Sequence, residues 1–324
     1  MSLTLKALLA FFCLLCGTVP AGLTAAQSYP NKPIRVIVPL AAGGQADVVA
    51  RILTAKLTET FKQPLVVDNR SGGGGSVGTE TAVRASPDGY TMLITASTHA
   101  ANAALYRLPY DPVNDVTSIA LLGEAAFMVA IHPSLPIKSI KELIAYDKVN
   151  SGKLNYGTAG TGSTTHLAME LFNQMSGTRF AHVPYKGAGP ALNDVLAGQI
   201  QLVLAGMPLA LPQIKANRVR GIAVTTAKRS SALPDVPTVA ETVPGYDAAG
   251  WYAVFGPKGL SRDIAARWNS EVNRILQLPE VRERMEGLGV DVAGGTPERL
   301  REVVKRDIAK WLDVIKSRNI KVEG

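Results

Sequence analysis

Apolar positions along the chain alternate between two rhythms. Ile34 to Val38 is a short β-branched run, which predicts a buried strand. From Ala46 to Phe61 the spacing changes, and Val48, Val49, Ile52, Leu53, Leu57 and Phe61 fall on one face of a helix. Leu65 to Val67 reads as strand again, and the turn Pro87, Asp88, Gly89 leads into a strand at Tyr90 to Ala96. Strand, helix and strand in this order predict a parallel sheet with crossover helices.

A hydrophobic segment from Ile119 to Ile131 ends at His132 and Pro133, and a second α/β series follows. It predicts helices at Ser139 to Tyr146, Thr165 to Met175 and Pro190 to Leu196, and strands near Arg179 to Val183 and Ile200 to Leu204. After Thr225 the chain turns loop-like, with Pro234, Pro237, Pro244 and Gly245, before the apolar segment Gly250 to Phe255. Two long helices finish it, about Ser261 to Leu276 and Pro297 to Arg318. The second carries Leu300, Val303, Val304, Ile308, Trp311, Leu312 and Ile315 at helical spacing. Apolar crossings near 120–131 and 250–255 predict a middle domain inserted into a first domain that the C-terminus completes. The expected division is 27–124 with 251–324 as one lobe and 125–250 as the other, joined by a two-strand hinge. Such a length exceeds what one core comfortably serves.

The N-terminus reads as an export signal. Lys6 precedes the apolar stretch Ala7 to Val19, and the small residues Thr24, Ala25 and Ala26 mark a cut after Ala26. Gly17, Pro20 and Gly22 interrupt the run, which is shorter than the ~20 apolar residues a span needs. The chain's two cysteines, Cys13 and Cys16, follow Phe12 and Leu15, not the small residue that a lipid-modified cysteine needs. Both leave with the signal, so disulfides, zinc thiolates and cysteine nucleophiles are excluded from the exported chain.

Net charge is +8, and +7 once Lys6 is removed. The basic stretches Arg218 to Arg229 and Arg282 to Arg306 are interleaved with apolar or acidic residues, so no nucleic-acid surface is expected. His99, His132, His166 and His182 show no metal-ligand spacing, and no metal or cofactor is expected.

Two small-residue loops carry the candidate chemistry. Pro39 to Asp47 connects the first strand to the first helix through Leu40, Ala41, Ala42, Gly43 and Gly44. Tyr156 to His166 repeats the design with Thr158, Ala159, Gly160, Thr161, Gly162 and Ser163. A strand that feeds a helix through such a loop aims backbone N–H groups and a positive dipole end at one point, which suits an anion. Hydrogen bonds to a charged group contribute about 1.5–3 kcal/mol each, so four give roughly 6–12 kcal/mol before ordering costs. A micromolar constant needs about 8 kcal/mol. Neither loop contains arginine, so amides and hydroxyls are expected to hold a small carboxylate. Asp47 also fits the role of cap or loop brace; His166 is open between core packing and cleft lining, and His182 beside Pro184 reads as structural.

The run Ser71 to Gly78 satisfies both GxGxxG, through Gly73, Gly75 and Gly78, and GxSxG, through Gly74, Ser76 and Gly78. Overlapping matches in a glycine run carry little weight. Asp88 comes too early for a ribose-binding acid, no lysine follows as in a phosphate loop, and no HGGG oxyanion loop accompanies Ser76. A flexible structural loop near the hinge is expected. The competing reading from another class is a secreted serine hydrolase using Ser76 and a histidine such as His99.

The segments PLAAGGQADVVAR, VVDNRSGGGGSVGTE, SPDGYTMLI, STHAANAALY, LNYGTAGTGSTTHLAMELF, HVPYKGAGPALNDVLAGQI, LPDVPTVAE, GWYAVFGP, LPEVRERMEGLG, GGTPE and KWLDVIK together resemble the Bug or TctC family of extracytoplasmic solute receptors of tripartite tricarboxylate transporters. The resemblance spans the exported chain. It implies an α/β, two-lobe periplasmic binding protein fold of type II kind, with a hinge and an inter-lobe ligand cleft. It also implies a monomeric, non-enzymatic receptor that delivers an organic acid or amino acid to integral membrane transporter subunits, or in some members to a sensor kinase. On this footing Ser97, His99, Tyr185 and Lys186, each following a strand end, are expected to line the cleft beside the two loops. Where many relatives carry an aspartate, this chain has Ala205, Gly206 and Met207, which implies a less cationic ligand.

Overall fold

The computed structural model describes residues 29–321, so the export segment and its cut after Ala26 lie outside the described residues. β1 (Ile34–Val38) is buried at four of its five positions. It lies between β2 (Leu65–Asn69) and β3 (Thr91–Ala96), parallel to both, and an apolar run is what a strand covered on both faces requires. α1 (Gln45–Phe61) crosses between β1 and β2 and buries Val49, Ile52, Leu53, Leu57 and Phe61.

The glycine run is more ordered than the expected flexible loop. Gly73–Gly75 forms a 3-10 turn that opens α2 (Ser76–Val83). This helix sits so close to the end of β1 that a Cβ on Gly78 would stand 2.4 Å from the Arg70 carbonyl oxygen and 2.8 Å from Pro39 Cα. A glycine is required there to let two backbones approach. α3 (Thr98–Leu105) follows β3 directly.

The long apolar segment divides at Ala126 into β4 (Val116–Ala125) and β5 (Phe127–Ile131). The second series contains α4 (Ile140–Val149), β6 (Asn155–Thr158), α5 (Thr164–Ser176), β7 (Ala181–Pro184), α6 (Ala188–Leu196), β8 (Leu202–Gly206), α7 (Met207–Lys215) and β9 (Arg220–Val224). α7 and β9 escape sequence reading because Pro208 and Pro212 break up the helical pattern of the first, and the second is only five residues long. The chain returns through β10 (Gly250–Pro257), α8 (Arg262–Ile275), α9 (Pro279–Gly287), β11 (Val290–Val292) and α10 (Pro297–Ser317).

Among the described residues the strands form two sheets, one ordered β11-β4-β10-β3-β1-β2 and the other β7-β6-β8-β5-β9. This is a two-domain α/β periplasmic binding fold. β10 runs antiparallel to both β3 and β4, and Gly250 lies opposite Ala125 at the point where both segments leave the first sheet. Beyond that point Thr225, just past β9, bridges the two crossings: its amide donates to the Phe127 carbonyl and its carbonyl accepts from the Ala248 amide.

α10 adds a third tie that sequence pattern alone did not predict. It packs along α3 and β4 on one side and reaches α5 of the second sheet on the other. Arg318 just past its end donates to Glu170 of α5 at 2.6 Å, and Gln174 of α5 donates to Asp313 at 3.1 Å. Its buried face is Leu300, Val303, Val304, Asp307, Trp311 and Val314; Leu312, expected in the apolar stripe, is 48% exposed. A carboxylate takes a place in that stripe because the Trp251 indole N–H donates to Asp307 Oδ2 at 2.8 Å, with Lys310 Nζ 3.0 Å from the other oxygen.

Replacing Asp307 with leucine leaves that indole N–H without its acceptor. The expected result is a loss of about 1.5–3 kcal/mol in urea unfolding of the exported chain, the usual cost of removing a buried hydrogen bond to a charged group.

Candidate functional site

Strands from both sheets deliver their carboxyl ends to one gap. β1 and β3 run into α1 and α3, while β6, β7 and β8 run into α5, α6 and α7. Open α/β sheets bind ligands at such ends. A cavity of about 300 Å³ lies there, lined from the first sheet by Gln45, Ala96, Ser97, Thr98, Gly250, Trp251 and Tyr252. Ala125, Phe127, Ala159, Ser163, Thr164, Thr165, Ala188, Gly206 and Leu209 complete the lining. Five helix starts therefore border one small space: Gln45 opens α1, Thr98 opens α3, Thr164 opens α5, Ala188 opens α6, and Gly206 is the N-cap of α7. No charged side chain belongs to this lining. A second groove, of about 600 Å³, lies between the 106–114 loop and the outer faces of α3 and α10, away from every strand end that feeds a helix here.

Of the residues singled out in the sequence, Ser97, Ala159 and Ser163 line the cavity. Leu40 is partly covered, and Ala41, Ala42, Gly43 and Gly44 form an exposed turn just ahead of Gln45. In this turn the Gly43 amide donates to Asp47 Oδ2 at 2.9 Å and the Gly44 amide to the Ala41 carbonyl at 3.2 Å. Asp47 is thus a loop brace. Burial raises its carboxyl, but the hydrogen bonds from Arg51 and the Gly43 amide outweigh that and hold it below the usual carboxylate range.

The second loop is likewise tied into itself. The Ala159 amide donates to Thr165 Oγ1, the Gly160 amide to Thr158 Oγ1, the Gly162 amide to His166 Nδ1, and the Ser163 amide to the Gly160 carbonyl. Thr158 is fully buried, and Thr161 is exposed at the tip. The expected amide cradle is therefore largely self-satisfied, because buried donors in a closed turn must find partners. The donors left for a ligand are the uncapped first-turn amides of the helices, the His166 amide being taken by Ser163 Oγ, and the hydroxyls beside them, of which those of Ser163 and Thr165 are bonded to each other at 3.1 Å.

His99 does not line the cavity. Its ring is 2% exposed, lies against Tyr110 and Phe255, and its Nε2–H donates to the Pro112 carbonyl at 2.8 Å. The residue leads into α3 but its side chain points into the core, so it cannot serve Ser76 as a base. Tyr185 turns away to donate to Asp194 at 2.6 Å, and Lys186 is exposed. The residues that sequence reading missed, among them Gln45, Thr98, Phe127, Ala188, Leu209 and Trp251, come from six separate segments and share no local motif.

His166 backs the second loop. Its ring stacks on His182 with centroids 3.9 Å apart, and His182 stacks in turn on Tyr156. His182 Nε2 is 2.7 Å from Thr158 Oγ1. Beneath this column Glu170 accepts from Tyr156 at 2.5 Å, from Asn173 and from Arg318. Burial raises Glu170, but the bonds from Tyr156 and Arg318 keep it below its usual range. Burial lowers both histidines, and His182 is pushed down to about 4, helped by its neighbour His166 and opposed by Glu170. Among the described residues no cluster of three or more His, Cys, Asp or Glu is gathered to hold a metal, and no helix is long and apolar enough to cross a membrane.

Residues 49–320 match the family profile described as tripartite tricarboxylate transporter family receptor. The chain belongs to this family. Protein BugT of Bordetella pertussis is 34% identical over 310 residues, covering 94% of this chain and 95% of its own. Among solved structures, a periplasmic transporter is 39% identical with a TM-score of 0.78, covering 91% of this chain and all of its own. An R. palustris protein solved with adipate is 35% identical with a TM-score of 0.79, covering 90% of this chain and 99% of its own. As a member of the Bug/TctC receptors the chain is a binding protein and not an enzyme.

The folded receptor resists protonation of His182, whereas the unfolded chain takes up that proton near the ordinary value of 6.5. On account of this group the unfolded state binds more protons between pH 6.5 and about 4, so the contribution of His182 to stability is lost as pH is lowered through that window. Urea midpoints measured across that range for the wild type and His182→Gln are expected to show the slope flattened in the variant.

Proposed function

We propose that this receptor captures a small carboxylate in the cleft between its lobes, in the periplasm, and delivers it to the integral membrane subunits of a tripartite tricarboxylate transporter. The observation that carries this reading is the meeting of five helix N-termini on one cavity that contains no charged side chain. Each helix start contributes roughly 0.3–1 kcal/mol toward an anion, and up to about 2 kcal/mol when partly buried. Several acting together favour one carboxylate without an arginine. The hydroxyls of Ser97, Thr98 and Thr164 stand beside the starts of α3 and α5 and supply direct partners, with one more proton from the mutually bonded Ser163 and Thr165 pair.

In this reading the lobes divide at 27–124 with 251–324 against 125–250, and they close on the ligand. Closure draws the exposed 41–44 turn toward the 158–163 turn, so Leu40 to Gly44 and Thr158 to Gly162 shape the rim. The R. palustris relative solved with an organic acid, and the periplasmic relative, support both the ligand class and the compartment. Export then removes residues 1–26, which N-terminal sequencing of the periplasmic protein checks.

Isothermal titration of the exported chain, freed of bound solute by unfolding and refolding, with a panel of organic acids and amines tests the proposal. Binding confined to acids is expected; binding only to amines or neutral sugars would overturn it. Ser97 is the N-cap of α3 but makes no capping bond, so its hydroxyl is free of structural duty. Ser97→Ala is expected to weaken acid binding about tenfold or more, the worth of one hydrogen bond to a charged group, with little change in melting temperature.

A further inference from the structure

The cavity has two unlike ends. At one, β3 runs into α3 and the turn after β6 runs into α5, bringing Ser97, Thr98 and Ser163 to Thr165 together, with Tyr252 paired across the sheet to Ala96. α5 has no proline in its first turn, so the Thr164 and Thr165 amides are available, while the His166 amide is capped by Ser163 Oγ at 3.2 Å. At the other end Phe127 pairs with Gly206, and Leu209 and Ala188 close the wall. Two of the three helix starts here, α6 and α7, are poor in donors, whereas α1, which Gln45 opens, has no proline in its first turn. α6 carries Pro190 at its third position and α7 carries Pro208 at its second, and proline has no N–H. The Trp251 indole N–H is also unavailable, being held by Asp307.

Gln45 completes the second end and sets its polarity. Its amide nitrogen donates to the Leu288 carbonyl at 2.7 Å, and only the –NH2 group can make that bond, so the orientation of the amide follows. Its Oε1 is left facing Gly206, 3.6 Å from where a Cβ on that glycine would stand. The only charged or amide side chain at this end therefore offers an acceptor. An acceptor beside aromatic and aliphatic groups opposes a second carboxylate, and the lack of any acid in the lining leaves an ammonium group without a counter-charge.

Building on the carboxylate reading above, we propose that the site selects monocarboxylates with an uncharged, mainly apolar body, and that Gln45, Phe127 and Leu209 determine this selectivity. The carboxylate sits at the α3 and α5 starts, and the body lies against Phe127 and Leu209. A volume near 300 Å³, at the small end for ligand pockets, suits a body of a short chain or single ring.

Matched acids separate this proposal from the reading beneath it. The refolded exported chain is titrated with butyrate, succinate and 4-aminobutyrate, with hexanoate, adipate and 6-aminohexanoate, and with benzoate and terephthalate. Within each set the monocarboxylate is expected to bind at least tenfold tighter than its dicarboxylate and, where included, its zwitterionic amino-acid partner. Gln45→Lys is expected to shift the preference toward the dicarboxylate at least tenfold. Gly206→Asp is a second variant: a Cβ there meets only Gln45 Oε1 at 3.6 Å and Pro208 Cδ at 3.8 Å, and aspartate is a favoured N-cap. It is expected to raise the relative affinity for the amino acids at least tenfold. Dicarboxylates binding as well as or better than monocarboxylates, or both variants leaving the ratios unchanged, would overturn the proposal and leave carboxylate capture intact. Failure of every acid to bind would overturn the capture reading, and the selectivity with it.

Discussion

The pairing of β4 with β10 at Ala125 and Gly250 is the constraint from which the rest of the molecule follows. Two antiparallel strands leave the first sheet side by side, and Thr225 bridges Phe127 of one and Ala248 ahead of the other as the chain passes to the second. That join sets how far apart the sheets lie and turns the carboxyl ends of β1, β3, β6, β7 and β8 toward one gap. Trp251, next to Gly250, forms part of the cavity lining, and Asp307 of the C-terminal helix fixes its indole. The same helix reaches across to Glu170 through Arg318, so the lobes are connected by two strands and also by the packing of one helix. Any motion of the lobes must keep or exchange those polar contacts.

Inside the gap, the electrostatics come from backbone and not from side-chain charge. Loop amides at Gly43, Gly44, Ala159, Gly160, Gly162 and Ser163 are consumed by their own turns, which makes both loops well-defined platforms. The His182–His166 stack and the Glu170 cluster support the second platform from below. Five helix starts border the cavity beside these loops. The first amides of a helix have no acceptor within it, and where no side chain caps them, as at Thr164 and Thr165 of α5, they keep their donors.

Much of the architecture was legible in the chain. The β-branched run at Ile34, the helical face from Val49 to Phe61 and the breaks at Pro133 and Pro234 correspond to real elements, because local propensity and burial agree there. The departures have physical causes. Leu312 fits the helical stripe but faces solvent, since the face of α10 is set by what Trp251 and α5 require and not by periodicity alone. Ser76 opens a packed helix, because close approach to Pro39 is available only to the glycine two residues on. His99 follows a strand end as a site residue should, yet its rotamer takes it into the core between Tyr110 and Phe255.

The sequence by itself determined the alternation of strands and helices, the two small-residue turns that precede helix starts, the absence of cysteine after Ala26 and the kinship with solute receptors. These are properties of neighbouring residues, and short-range spacing encodes them. Tertiary structure alone decided which donors remain free and what faces them. Gln45 and Leu288 are separated by 243 residues, and Phe127 meets Gly206 only through sheet register, so the polarity of the cleft depends on contacts that no local pattern records.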